Sequence, residues 1–98
     1  SQFFFSSTKA GIVRGNHYHT RKQEKFCVVK GEAIIRLRRI GTDKIIEYKV
    51  SGDKPVVVEM PIFYTHHIEN VGSGELCTLF WTNELFNPND IDTFFEKV

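Results

Sequence analysis

The sequence predicts an all-β domain, a small sandwich or barrel, and three observations carry that expectation. β-branched and aromatic residues recur in short runs along most of the chain. Glycines at 11, 15, 31, 41, 52, 72 and 74 punctuate the stretches between them. No segment before Leu85 holds apolar residues at helical spacing. Short strands with turn signals at regular intervals are the pattern of sandwiches and barrels.

The strands are expected in this order. "FFFSS" opens the chain, and "KFCVVK" follows after a polar stretch that includes two histidines. "EAIIRLRRI" alternates in part: Ala33, Ile35 and Leu37 share one face, and Arg36 and Arg38 the other, as in a half-buried strand. "KIIEYKV", "PVVVEM", "HHIEN" and "ELCTLFW" complete the set. "IGTDK" and "VGSGE" read as hairpin connections. The tail "NPNDIDTFFEKV" reads as a turn or one short helix; Pro88 favours the turn, and Phe94 and Phe95 are placed to dock the tail on the body.

Composition narrows the class. With 98 residues the chain is one domain with a modest core. Its 41% hydrophobic content is that of a globular protein, not a disordered one. A net charge of +1 lacks the footprint of a nucleic-acid-binding protein. No apolar run approaches the ~20 residues of a membrane span, and the N-terminus has no signal-peptide pattern, so a cytoplasmic location is expected. The chain opens on Ser1, as a domain cut from a longer protein would. Cys27 and Cys77 lie far apart, each within a strand-like run, and are expected as free thiols.

All four histidines fall in two places, "HYH" at 17 to 19 and "HH" at 66 to 67. On a strand His17 and His19 share a face. Glu24 opens the next strand, and a bend over "TRKQ" brings it beside them. His66 supplies a further imidazole from a distant strand. Three imidazoles and a carboxylate are a credible set of ligands for a divalent transition metal, with positions left for water or substrate. An H-x-H pair on a β surface is also often incidental. His67 and Tyr18 alternate away from this set.

The spacing resembles that of the cupin family. Gly11, His17, His19, Glu24 and Gly31 fit its first motif: glycine, five residues, H-x-H, four residues, glutamate, six residues, glycine. Pro61, His66 and Asn70 in "PIFYTHHIEN" fit the second, with Phe63 standing where that motif has glycine. The resemblance implies a cupin double-stranded β-helix, which is a small jelly-roll barrel. It also implies His17, His19, Glu24 and His66 as metal ligands.

Three stretches narrow the resemblance. "GIVRGNHYH" resembles the corresponding segment of cupin-class nucleotide-sugar epimerases and ketoisomerases. "PIFYTHHIENVG" and "TLFWTNELFNPNDIDTFFEKV" resemble the C-terminal domain of the CapF family of capsular polysaccharide assembling proteins. The resemblance implies a zinc-binding cupin, residues 1–98, that follows an N-terminal reductase domain absent from this chain. It implies a homodimer and a UDP-linked 4-keto-6-deoxy amino sugar as substrate, on the way to UDP-N-acetyl-L-fucosamine. The cupin part would epimerise carbon 3, and the reductase part would use NADPH. This chain has no dinucleotide-type glycine loop, so no NADPH is expected on it.

Such an epimerisation needs a base, an acid and stabilisation of an enolate oxygen. A metal on the four ligands would polarise the ketone or tie the barrel halves together. Tyr64 is the candidate proton-transfer residue, two residues before His66 and on its face. Arg14 is the candidate for holding a diphosphate through its planar fork of donors. The alternatives are a metal-free 3,4-ketoisomerase using His17 and His19 for proton transfer, and a cupin that only binds sugar or mediates dimerisation.

Overall fold

The computed structural model describes all 98 residues and contains nine strands and no helix. They are β1 (Gln2–Thr8), β2 (Val13–Tyr18), β3 (Glu24–Lys30), β4 (Glu32–Arg39), β5 (Ile45–Ser51), β6 (Val57–Met60), β7 (Tyr64–Asn70), β8 (Leu76–Thr82) and β9 (Phe94–Phe95). One sheet has the order β1-β8-β3-β6 and the other β5-β4-β7-β2-β9, with every pairing antiparallel. Two such sheets face to face are the expected cupin jelly roll. No helix is long and apolar enough to cross a membrane.

Alternation builds the core. Phe26 and Val28 of β3, Ala33, Ile35 and Leu37 of β4, Met60 of β6, Ile68 of β7 and Leu76 of β8 are buried between the sheets. Each fully buried aliphatic side chain contributes about 1.5–3 kcal/mol. The opposite face of β4 is not simply solvated: Arg36 pairs with Glu47 and Glu69, and Arg38 with Glu96 of the tail. Both cysteines are free; Cys77 is buried and Cys27 half-buried.

One of the two expected hairpin connections is different. "IGTDK" does join paired neighbours β4 and β5, with Gly41 at φ 83. "VGSGE" instead carries the chain from β7 in one sheet to β8 in the other. Asn70 sets this crossover: its side chain donates to the carbonyls of Thr8 and Gly74 and accepts from the Gly72 N–H. The tail holds a turn at Pro88 and no helix. It docks through β9, which pairs with β2, while the Phe95 side chain stays exposed.

Phe63 adopts φ 61, the left-handed conformation that the motif's glycine would take freely. The turn forms nonetheless, because Phe63 N donates to His19 O (2.8 Å) and Phe63 O accepts from Ile40 N (2.9 Å).

Candidate functional site

Strand β2 is not regular, and its irregularity shapes the site. Its register against β7 runs Arg14 to Ile68, Gly15 to His67, then His17 to His66, so Asn16 is an extra residue in a bulge. Asn16 has φ 62 and Gly15 φ 115. In a regular strand Arg14 and His17, three apart, would face opposite ways. The bulge turns both toward one cavity. That cavity, of about 360 Å³, is also lined by Phe4, Ser6, Glu24, Phe26, His66 and Phe80.

His17, Glu24 and His66 line the cavity, and His19 is buried beside them, the ligand atoms of all four lying within 4.8 Å of one another. His17 comes from the end of β2 and His19 from just beyond it, Glu24 from the start of β3 in the other sheet, and His66 from β7. The segment between His19 and Glu24 bends from one sheet to the other.

The hydrogen bonds test whether this set suits a cation. His19 Nδ1 lies 2.7 Å from the Asp92 carbonyl, which can only accept, so Nδ1 carries the proton. In the neutral ring Nε2 then carries a lone pair, yet it sits 2.5 Å from Glu24 Oε1, another lone-pair bearer. His66 repeats the pattern. Its Nδ1 faces the Tyr64 carbonyl at 3.4 Å, and its buried Nε2 lies 3.3 Å from Glu24 Oε1 without forming a hydrogen bond. Acceptors gathered at such distances require an extra proton or a metal cation between them. Imidazoles that donate one nitrogen to a carbonyl and present the other are the usual form of metal-ligating histidines. The residues fit a divalent metal.

Electrostatics agree with this. Burial, aided by His66, lowers the His17 imidazole to about 4, so at pH 7 it is neutral, with one ring nitrogen offering a lone pair. Burial alone would raise the Glu24 carboxyl, but in the metal-free protein His19 and His66, with a proton on the nitrogen that faces it, hold it well below the ordinary carboxylate range. Both groups therefore bind protons more readily in the unfolded chain. Their stabilising contribution is complete above the ordinary imidazole value of 6.5 and is lost as pH falls through about 4 and below. The midpoint of urea unfolding for chelator-treated protein should drop steadily from pH 7 to pH 4; a flat profile would contradict the assignment.

The other expected residues fall as follows. Arg14 lies at the cavity, its Nη1 donating to Ser6 Oγ (2.5 Å). Tyr64 shares the face of His66, as alternation requires, but it packs against the hydrophobic core and does not line the cavity. Tyr18 points away and stacks on Phe94, and Lys25 lies over Trp81. His67 is on the outer face between Arg36 and Asn16.

Sequence reasoning missed Asp92. Its buried carboxylate accepts from the N–H groups of Thr20, Arg21 and Lys22 and from the Thr20 hydroxyl. Burial would raise this carboxyl, but those donors hold it far below its ordinary value. A larger cleft of about 710 Å³ is lined by Ala33, Ile34, Val50 and Val56 together with the charged Glu32, Lys49 and Lys54, and holds no histidine.

Residues 1–94 match the family described as Polysaccharide biosynthesis C-terminal domain. The chain belongs to that family. Among curated relatives, it is 40% identical over 93 residues to the UDP-2-acetamido-2,6-beta-L-arabino-hexul-4-ose reductase of Pseudomonas aeruginosa, covering 95% of this chain and 25% of the relative. Among solved structures, it is similar to the capsular polysaccharide assembling protein CapF from Staphylococcus aureus. That match has TM-score 0.98 and 50% identity, and covers 99% of this chain and 28% of the other. The chain thus spans about a quarter of the length of these relatives. The fold extends to dTDP-6-deoxy-D-glucose-3,5-epimerase RmlC from Legionella pneumophila, solved with dTDP-4-keto-L-rhamnose. There the TM-score is 0.78 at 19% identity, covering 97% of this chain and 53% of the other. This polysaccharide biosynthesis domain thus shares its barrel with an epimerase of nucleotide sugars.

Proposed function

We propose that this domain is a metal-holding cupin epimerase, acting at carbon 3 of a UDP-linked 4-keto-6-deoxy amino sugar in surface polysaccharide synthesis. The observation that carries the proposal is the convergence of His17, His19, Glu24 and His66 on a cavity with Arg14 beside it. The reading is supported by the 4-ketose named for the Pseudomonas relative and the 4-keto sugar bound by the Legionella one. In the longer proteins, we assign the reduction step and its NADPH to a separate N-terminal domain.

Zinc held by the four residues would supply Lewis acidity toward a ketone oxygen. The chain's own groups do the rest. At about 360 Å³ the cavity is near the lower end of the ~300–1,000 Å³ typical of small-molecule sites. It suits a sugar ring with the diphosphate outside, where Arg14 holds it in place of Ser6. Phe26 and Phe80, edge to face at 4.5 Å, form a dry wall. The carbonyl at carbon 4 acidifies the carbon-3 proton; a base takes it, and a proton returns on the opposite face. Tyr64, packed against the core, serves as that base or acid by swinging toward the cavity, and Tyr64→Phe should then slow exchange at carbon 3. A homodimer is consistent with the apolar outer face of the first sheet, where Phe3, Phe5, Val57 and Leu79 are exposed. The metal-free ketoisomerase is less well supported, because His19 is buried with Nδ1 committed to Asp92.

The test is solvent exchange. Incubated with a UDP-4-keto sugar in deuterated water, the protein should place deuterium at carbon 3 well above the buffer rate. Tight binding without exchange would make the domain a sugar-binding module instead.

A further inference from the structure

We infer that Asp92 is a positioning residue for the metal centre, clamping the segment that carries His19 so that its Nε2 faces Glu24. The inference rests on reading His17, His19, Glu24 and His66 as metal ligands.

Asp92 engages that segment through two different groups. Its carboxylate accepts the N–H of Thr20 (3.1 Å), Arg21 (2.8 Å) and Lys22 (2.9 Å), and the Thr20 hydroxyl (2.6 Å). Three successive N–H groups around one carboxylate hold the bend between His19 and Glu24 in a single shape. Its carbonyl accepts from His19 Nδ1 (2.7 Å), which fixes both the orientation of the ring and which nitrogen is left to bind. Asp92 makes both contacts from a left-handed backbone, φ 49, which Asp tolerates better than most residues. The carboxylate anchors the backbone, and the anchored backbone aims the carbonyl.

This gives the tail a role beyond covering β2. Phe95 remains exposed, and Phe94 holds the tail only by stacking on Tyr18 at the surface. Asp92 is 5% exposed and bonds to residues about seventy positions away. The tail supplies no ligand, yet through Asp92 it holds the segment that carries one.

The test compares Asp92→Ala, Asp92→Asn and the native protein for zinc affinity, by competition with a chromophoric chelator, and for the visible spectrum of the cobalt-loaded form. The melting temperature of each chelated protein reports general stability separately. Asp92→Ala should bind zinc about 10–100-fold more weakly, the range for outer partners of a metal ligand, with an altered cobalt spectrum. Asp92→Asn keeps one accepting oxygen and should fall between. If Asp92→Ala does not fold, Asp92→Asn and Thr20→Val carry the comparison, and both should bind more weakly than native. Native affinity and an unchanged cobalt spectrum in the folded variants would overturn the inference, whatever happens to the melting temperature. A native protein that binds neither metal would instead remove the metal reading itself, and the inference with it.

Discussion

Glu24→Gln is expected to abolish tight metal binding while leaving the barrel folded. Glu24 supplies the one negative charge among the four converging groups. Glutamine has nearly the same shape but presents a neutral amide, a far poorer partner for a divalent cation. Affinity should fall by more than the ~10–100-fold typical of outer-shell changes, and exchange at carbon 3 should fall with it. The metal-free protein should lose some stability but stay folded, because His19 and His66 favour the Glu24 carboxylate and a neutral amide forfeits that. Melting temperatures with and without zinc separate the two effects. A metal at 100 times its dissociation constant stabilises the native protein by about 2.7 kcal/mol. The variant should melt somewhat below the chelated native protein and gain nothing on adding zinc. A variant that gained as much as native would show that the carboxylate is no ligand.

Gly15→Ala is expected to damage stability and site together. Gly15 sits at φ 115, where an L side chain is strained. A Cβ there would lie 2.7 Å from the His66 carbonyl oxygen and 3.0 Å from His67 Cα, both backbone atoms of the strand that carries a ligand. Relief requires β2 and β7 to part beside His17 and His66. Gly41→Ala is the matched control: φ 83, but open space around the new methyl. The control should lose about 1 kcal/mol from backbone strain alone. Gly15→Ala should lose clearly more, about 2–4 kcal/mol once strain and clash are combined, and should bind zinc more weakly. Equal losses by denaturant titration would mean that the close approach is not a constraint.

Much of the site was legible because strand alternation is a strong rule. It puts His17 and His19 on one face and sends Tyr18 and His67 to the other, as found. It also puts Tyr64 on the face of His66, but alternation says nothing about depth, and Tyr64 is spent on the core. Arg14 shows where the rule needs help. Three residues from His17, it shares the cavity only because Asn16 is bulged. The cue was present, since a lone glycine inside a strand, here Gly15, marks bulges and close approaches. "VGSGE" looked like a hairpin because turn residues announce a reversal and not the sheet it leads to. Asp92 left no local signal at all. Its value comes from N–H groups about seventy residues away, a partnership that only the folded chain creates.

The central claim is that four side chains from two sheets hold one divalent metal at the cavity. Metal analysis of protein purified without added metal or chelator, with X-ray absorption at the edge of the metal found, tests it most directly. The account predicts about one metal ion per chain, with nitrogen from three imidazoles and oxygen from one carboxylate in its first shell. Protein that holds no stoichiometric metal even after reconstitution, or a metal lacking histidine nitrogen, would contradict it.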